Sequence, residues 1–287
     1  MPASERPLAV ITGGAGGMGV AAGKRLAATH HLLLLDRAGA DLDGAAARVA
    51  GAGGGDEVST LACDIVDAGS VAEAAELAAS LGPLGALVHT AGVTPPGVTD
   101  PSVVLAVNLR GTRLVLDAFA PQVVPGTVGV LISSLAGHRH FNDAFDGPQL
   151  IAGDTAWATR VLDATGRGDD PLAAYSVSKR GVIRMAEHDA AAWGRSGGRL
   201  VSISPGLVAD TGIGEVVMDS FAAKYATEGA VPRPGAADDI AALAEFLISP
   251  AASYITGCDI LVDGGMLPAI DHHRAEDSRE AWHDVRP

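Results

Sequence analysis

The stretch "AVITGGAGGMGVAAGKRLA", residues 9–27, places five closely spaced glycines between an apolar segment and an alanine-rich segment. The apolar segment, which ends at Thr12, predicts a β-strand, and the alanine-rich segment predicts a helix. Glycines at such a junction permit a tight turn and let backbone N–H groups approach a pyrophosphate at the helix N-terminus, where the helix dipole favours an anion. The stretch therefore predicts a dinucleotide-binding β–α unit, and a flexible turn is the alternative interpretation.

Six further short apolar runs alternate with longer helical patterns along the rest of the chain. The seven predicted strands are 8–11, 32–35, 58–62, 86–89, 128–132, 200–203 and 260–262. Strands that alternate with helices favour a parallel sheet covered by helices on both faces. Right-handed crossovers then predict one doubly wound, Rossmann-like α/β domain with a seven-stranded sheet.

The sequence shows no linker, composition shift or internal repeat that would divide it. We therefore expect a single domain over 1–267 and a polar C-terminal tail over 268–287. An irregular polar segment, 137–170, interrupts the alternation of strands and helices, and long segments of this kind are usually functional or disordered. Its stretch 154–165 has the apolar spacing of a short amphipathic helix.

The composition limits the partners that the protein could bind. The 287-residue chain has a formal net charge of -14, which disfavours nucleic acids and anionic membrane surfaces. Its N-terminus lacks the pattern of a signal peptide, and no apolar run reaches the roughly 18 to 20 residues that span a bilayer. No Cys/His cluster has metal-ligand spacing, so we expect no metal site. These features predict a cytoplasmic protein that acts on a small molecule.

An acidic residue follows the second predicted strand, where dinucleotide-binding folds contact the adenosine ribose. Asp36 lies 17 positions after Gly19, and its carboxylate would accept hydrogen bonds from the ribose hydroxyls. The same charge would repel a 2′-phosphate, which favours NAD over NADP, although the adjacent Arg37 could bind that phosphate. The alternative interpretation is that Asp36 only begins a loop.

The segment "AYSVSKR", residues 174–180, places Tyr175 and Lys179 four positions apart, so that on a helix they share one face. A free tyrosine has a pKa of about 10 and is a poor base at neutral pH. A nearby cation, joined by the positive charge of an oxidised nicotinamide, stabilises the phenolate, so we expect Lys179 and the cofactor together to lower the pKa of Tyr175. The pair is a candidate acid/base centre, and an amphipathic surface pair is the alternative.

Together these motifs resemble the short-chain dehydrogenase/reductase family, in its compact single-domain form, over roughly residues 7–267. Thr12-Gly13-x-x-x-Gly17-x-Gly19 resembles the cofactor loop of that family, and Tyr175-x-x-x-Lys179 resembles its active-site pair. The resemblance implies an NAD-dependent oxidoreductase that interconverts a secondary alcohol and a ketone. It also implies a homodimer or homotetramer.

The resemblance implies a set of site residues as well. Tyr175 would transfer the proton, Ser134 would hold the substrate oxygen, with Ser133 as the alternative, and Asn108 would connect Lys179 to solvent. Asp64 would contact the adenine, and its alternative function is to cap the helix before Ser70. The implied cofactor contacts are Gly13, Gly17, Met18, Gly19, Asp36, Arg37, Asp64, Ile65, Ala91, Gly92, Tyr175, Lys179, Pro205, Gly206, Val208 and Thr211.

Two residues and one segment depart from the family pattern. Thr90, in "HTAG", stands where asparagine is usual, and Asp210 stands where a threonine usually contacts the nicotinamide carboxamide. The Val208 backbone and Thr211 are the candidates for that contact.

The third departure is the interval from Ser134 to Tyr175, which is 41 positions long because of the segment 137–170. Similar insertions occur in the bacterial hydroxysteroid dehydrogenase/carbonyl reductase branch of the family, which implies a cyclic, steroid-like or other bulky apolar substrate. The insertion would either cover the substrate pocket or reshape a subunit interface. A catalytically silent dinucleotide-sensing protein of the same fold is the alternative function.

Overall fold

The computed structural model describes residues 6–51, 58–138, 146–212 and 226–272. One seven-stranded parallel sheet lies at its centre, in the order β3-β2-β1-β4-β5-β6-β7. The strands are β1 (Leu8–Thr12), β2 (His31–Asp36), β3 (Val58–Ala62), β4 (Leu84–His89), β5 (Val128–Ile132), β6 (Arg199–Pro205) and β7 (Asp259–Val262). The predicted doubly wound, Rossmann-like sheet and its seven strands are confirmed.

Helices connect the strands and cover the sheet. They are α1 (Gly17–Leu26), α2 (Leu42–Val49), α3 (Ala68–Leu81), α4 (Pro101–Leu105), α5 (Thr112–Phe119), α6 (Pro148–Ile151), α7 (Thr155–Ala164), α8 (Pro171–Arg195) and α9 (Ala237–Ile248). A π-helical segment, Ala106–Gly111, joins α4 directly to α5. Among the helices of the described ranges, none combines the length and the apolar character needed to cross a membrane.

The central strands are mainly apolar because both faces of the sheet are covered. Every residue of β1 and β5 is buried. Leu33 and Leu87 face a core that includes residues of α3, α5 and α8, whereas Leu34 and Val88 face the opposite core, built with α1 and α2. Strands buried on both faces have no solvent side, which explains why their sequences show apolar runs rather than alternation.

Aspartate side chains accept hydrogen bonds from the first N–H groups of several helices, and such N-caps stabilise a helix by about 1 kcal/mol. The capping residues are Asp41, Asp67, Asp100, Asp154 and Asp170, which precede α2, α3, α4, α7 and α8. Because Asp67 caps α3, the alternative prediction that Asp64 caps this helix is wrong. Asp64 Oδ1 instead accepts a hydrogen bond from the Val66 N–H at 3.1 Å.

The inserted segment contains α6 and α7, which confirms the helix predicted at 154–165. Leu150 and Leu162 are buried and join the core on the α8 side of the sheet. A Cβ atom at Gly181 of α8 would lie 3.4 Å from Leu150 Cγ, so α6 and α8 are in close contact. Gly181 is two residues beyond Lys179, a rotation of about 200° around the helix. Helix α6 of the insertion therefore covers the face of α8 opposite to Lys179, while residues 139–145 lie outside the described ranges.

Candidate active site

The glycine loop between β1 and α1 lies against the loop that follows β4. Gly13 has a φ of +69°, and a Cβ atom there would lie 2.7 Å from both Ala91 N and Thr90 Oγ1. Both the backbone conformation and the space therefore require glycine. Gly16, at the start of α1, provides no side-chain cap, which leaves the first N–H groups of the helix available to an anion.

Asp36 lies at the carboxyl end of β2, beside the glycine loop. Its Oδ2 accepts a hydrogen bond from Ala15 N–H at 3.0 Å, and its Oδ1 accepts one from Arg37 N–H at 2.8 Å. These bonds fix the carboxylate at the edge of a cavity of about 390 Å³, which is lined by residues 15–16 and 36–41. The cavity thus joins the glycine loop to an anchored negative charge.

The predicted adenine contacts, Asp64 and Ile65, differ in their exposure. Asp64 is exposed, whereas the Ile65 side chain is buried in the core. A Cβ atom at Gly111 would lie 2.9 Å from Ile65 Cδ1, so Ile65 packs against the π-helical segment. Of this pair, only Asp64 presents its side chain to solvent.

The loop after β6 lies over the beginning of α1. A Cβ atom at Gly17 would lie 3.1 Å from Thr211 Cγ2, and the Thr211 hydroxyl donates to Val208 O at 3.1 Å. Asp210 Oδ1 accepts a hydrogen bond from Ala237 N–H at 2.6 Å, at the first turn of α9. The acidic residue at position 210 therefore serves as a helix cap, and Thr211 is the threonine placed beside the cofactor loop.

Four further predicted cofactor residues lie in this loop or near it. Pro205 is the last residue of β6, and Gly206 N–H donates to Val262 O at 3.0 Å. Val208 forms a parallel bridge with Gly235, in which Leu207 O and Ala209 N–H make the ladder bonds. The Val208 N–H points to the other side, because alternate backbone groups of an extended chain face opposite ways. Met18 packs against the core beneath α9.

Tyr175 lies on α8 with its phenol close enough to the side chains of Ser134 and Thr94 for both to lower its pKa. The Ser133 hydroxyl points elsewhere and donates to the Lys179 carbonyl oxygen at 2.8 Å. Of the two adjacent serines, the structure thus places Ser134 beside the phenol and uses Ser133 to attach β5 to α8.

Burial shifts the pKa of both Tyr175 and Lys179. Lys179 is buried, its Nζ donates to Ile132 O at 3.0 Å, and desolvation lowers its pKa to about 8. Desolvation raises the pKa of Tyr175, and the hydrogen bonds from Ser134 and Thr94 offset part of this effect. Lys179 is not among the causes of this shift, so the expected lowering of the Tyr175 pKa by Lys179 together with the oxidised nicotinamide stays a prediction for the cofactor-bound protein. The Lys179 Nζ lies 5.8 Å from the centre of the Tyr175 ring, and desolvation outweighs attraction at that distance.

Asn108 lies in the π-helical segment, buried beside Lys179. Its side chain exchanges two hydrogen bonds of 2.8 Å with the backbone N–H and carbonyl of Val93. A Cβ atom at Gly92 would lie 3.1 Å from Asn108 Oδ1 and 3.4 Å from Lys179 Nζ. Gly92 therefore lies where the two side chains converge, and any larger residue would separate them.

Known proteins with similar sequences agree with this arrangement of the site. A family profile described as short chain dehydrogenase matches residues 7–144, and one described as enoyl-(acyl carrier protein) reductase matches residues 161–267. A short-chain dehydrogenase/reductase of Alternaria brassicicola is 33% identical over 282 residues, which cover 92% of this chain and 96% of that protein. The chain belongs to the short-chain dehydrogenase/reductase family.

Two further members of this family show similarity in sequence and in structure. The 3-alpha-hydroxysteroid dehydrogenase/carbonyl reductase of Comamonas testosteroni is 33% identical over 187 residues, covering 63% of this chain and 71% of that protein. The solved structure of a short-chain type dehydrogenase/reductase from Mycobacterium ulcerans has a TM-score of 0.73 and 28% identity, and covers 91% of this chain and 90% of that one.

Members of the short-chain dehydrogenase/reductase family use nicotinamide dinucleotide cofactors, and the residues present here fit such a group. Gly13 lets the glycine loop approach Thr90 and Ala91 closely, and the N-terminus of α1 is open to a pyrophosphate. The cavity beside Asp36 continues from this loop toward an adenosine position. Lys179 and Tyr175 lie at the other end, at the carboxyl edges of β4 and β5.

Sequence reasoning missed three residues of the site. Thr94 contacts the Tyr175 phenol, and His89 and Thr112 make buried hydrogen bonds behind Asn108. A usable signal existed for Thr94 and His89, because both flank the carboxyl end of a central strand, where ligands of doubly wound folds bind. Thr90, the departure from the usual asparagine, donates its hydroxyl to the Thr12 carbonyl at 2.7 Å and so ties β4 to β1.

Proposed function

We propose that this protein is an NAD-dependent oxidoreductase that interconverts a secondary alcohol and a ketone. The observation that carries the proposal is the phenol of Tyr175, which lies beside the Ser134 side chain and one helical turn from the buried Lys179. The pair faces the loop of Gly92, which continues to the glycine loop at Gly13. Acid/base, oxygen-binding and cofactor-binding groups thus meet at one edge of the sheet.

The chain's own residues would handle the proton and the substrate oxygen. A bound dinucleotide supplies the hydride acceptor or donor. In oxidation, the Tyr175 oxygen takes the hydroxyl proton of the alcohol, and in reduction it returns a proton to the ketone oxygen. Ser134 would donate a hydrogen bond to that oxygen and hold it within about 2.6 to 3.2 Å of the phenol. Thr94, on the same phenol, would fix the direction of the Tyr175 hydroxyl.

Lys179 would favour the ionised form of Tyr175 and bind the nicotinamide ribose. Its Nζ carries three hydrogens, and Ile132 O takes one of them at 3.0 Å. The others remain for ribose hydroxyls and for water held near Asn108. Because the two titrations interact, the apparent pKa values belong to the Tyr175–Lys179 pair and not to either residue.

The proposed preference for NAD rests on Asp36. Its carboxylate is held by two backbone N–H groups, so it cannot turn away from a 2′-phosphate without losing both bonds. The side chain of Arg37 is exposed and has no comparable anchor in the described structure.

We further propose that residues 1–267 act as one catalytic domain, since all seven strands belong to one sheet.

The proposal predicts NAD-linked turnover with secondary alcohols and ketones. Initial rates would be measured with NAD, NADH, NADP and NADPH on linear, cyclic, steroid and sugar alcohols and their ketones. We expect cyclic or steroid-like substrates to give the highest kcat/KM, as proposed from the similarity to the hydroxysteroid dehydrogenase/carbonyl reductase branch. Tight NAD binding without turnover on any of them would support the catalytically silent alternative instead.

We also propose that the protein forms a homodimer or homotetramer whose contacts lie outside the surface covered by α6 and α7. Leu150 and Leu162 already bury the apolar face of α8 opposite to Lys179, so that face has little apolar area left for a partner. Sedimentation velocity over a range of concentrations should show a dimer or tetramer. A monomer at all concentrations would contradict the proposed assembly.

A further inference from the structure

A buried histidine connects the glycine loop to the π-helical segment that carries Asn108. His89 is the last residue of β4 and is 1% exposed. Its Nδ1 lies 2.7 Å from Thr12 Oγ1, and its Nε2 lies 2.9 Å from Thr112 Oγ1. The imidazole therefore bridges the end of β1 and the start of α5.

The direction of each hydrogen bond follows from the groups at the ends. A carbonyl oxygen only accepts, so the Thr112 hydroxyl must donate its single hydrogen to Asn108 O, 2.7 Å away. Toward His89 the same oxygen can only accept, which places the ring hydrogen on Nε2. The Nδ1 then accepts, and Thr12 donates to it.

Both ends of this chain of hydrogen bonds contact the loop that follows β4. Thr12 Oγ1 accepts from Ala91 N–H at 3.4 Å, and the Asn108 side chain holds both backbone groups of Val93. The loop 91–93 is thus held at one end through Thr12 and at the other through Asn108. His89 is the link between these two attachments.

Because His89 is neutral, the direction of the hydrogen bonds through its ring stays the same. Desolvation, followed by the positive charge of Lys179, lowers the pKa of His89 to about 3. A neutral imidazole has one donor and one acceptor, as the chain of bonds requires. The ring therefore stays in one tautomer throughout the neutral range.

We propose that His89 is a positioning residue, held as the neutral Nε2–H tautomer, that aligns Asn108 and the loop 91–93 with the cofactor loop. The inference rests on the proposed oxidoreductase function, because its consequence is the placement of Lys179 against the nicotinamide ribose. The catalytic groups themselves do not touch His89. Its contribution passes through Thr112 to Asn108.

The first test reads the tautomer without any assay of activity. Nitrogen NMR of the ¹⁵N-histidine-labelled protein should show the His89 ring as Nε2–H, and its signals, assigned by their loss in His89→Gln, should not titrate between pH 5 and 9. An Nδ1–H ring, or a titration within that range, would overturn the proposal. The NMR test does not depend on catalysis. An absence of turnover would therefore contradict the proposed oxidoreductase function and leave the tautomer of His89 established.

The second test removes one hydroxyl from the chain of hydrogen bonds. Thr112→Val keeps the shape of the side chain, and we expect kcat to fall by about 10- to 100-fold from the misplacement of Asn108, with the KM for NAD little changed. Thr112→Ser restores the hydroxyl and should restore kcat. Equal losses in both variants, or wild-type kcat in Thr112→Val, would contradict the positioning function.

The matched control is Thr127→Val. Thr127 is also 1% exposed, and its hydroxyl also donates to a backbone carbonyl, Leu84 O at 2.6 Å. It lies at the opposite, amino edge of the sheet. Thr127→Val should lower the melting temperature and leave kcat unchanged. A loss of kcat in this control equal to that of Thr112→Val would show that the effect is one of general stability.

Discussion

Tyr175→Phe is expected to lower kcat by about 10²- to 10⁴-fold, the usual contribution of a positioned acid/base group. The substitution removes only the phenolic oxygen, which lies beside Ser134 and Thr94, and leaves the ring in its place against the core. Initial rates and titration of NAD binding would measure the two effects separately. NAD affinity should remain close to that of the wild type.

The matched control for this variant is Tyr254→Phe, because Tyr254 is fully exposed, at 101% of its reference area. It should leave kcat unchanged. Retained turnover in Tyr175→Phe would remove this residue from the mechanism, whereas loss of both turnover and NAD binding would indicate a disturbed fold.

The pH dependence of the wild-type rates is a second test of the proposed acid/base function of Tyr175. Oxidation requires the Tyr175–Lys179 pair to have released one proton, and reduction requires that proton to be present. Because desolvation lowers the pKa of Lys179 to about 8 and raises that of Tyr175, the first proton should leave the pair near pH 8. The oxidation rate should therefore rise, and the reduction rate fall, as pH increases through this value. Rates independent of pH from 6 to 10 would contradict this account.

Asp36→Asn is expected to reduce the preference for NAD over NADP by about 100-fold, since juxtaposed like charges cost several kcal/mol and each tenfold corresponds to about 1.4 kcal/mol. The amide keeps an oxygen that can accept from Ala15 N–H, but it no longer repels a 2′-phosphate. The measurement is the ratio of kcat/KM values for the two cofactors.

Asp43→Asn is the control for this charge change. Asp43 lies in the first turn of α2 and outside the lining of the cavity beside Asp36. The Asp43→Asn substitution removes the same charge from the same region and should leave the ratio of kcat/KM values for NAD and NADP unchanged. Equal changes in both variants would mean that net charge, and not the position of Asp36, sets the preference.

The strands and the glycine loop could be predicted because their signals are local. Each central strand is an apolar run, since a strand buried on both faces must be apolar along its length. Gly13 is required by a backbone conformation and a close approach that a glycine-rich junction already suggests. The four-residue spacing of Tyr175 and Lys179 likewise follows from helical geometry alone.

The environment of the site could not be predicted in the same way, because it depends on contacts between distant segments. Local pattern alone does not distinguish the adjacent serines at the end of β5, and only the family resemblance favoured Ser134. The packing of α8 on the sheet directs Ser133 to a carbonyl and Ser134 to the phenol. Thr94 reaches Tyr175 across 81 positions of sequence. Desolvation raises the pKa of Tyr175 in the protein alone, and burial depends on the whole fold.

Local pattern by itself determined the class of this protein: seven short strands that alternate with helices, a phosphate-binding junction and a Tyr–Lys pair in a recognisable order. Only the tertiary structure decided which face of α8 the insertion covers, which residue caps α9, and which way the hydrogen bonds through His89 run. The physical reason is that periodicity and spacing are encoded along the chain. Desolvation and the direction of a hydrogen bond belong instead to groups that folding brings together.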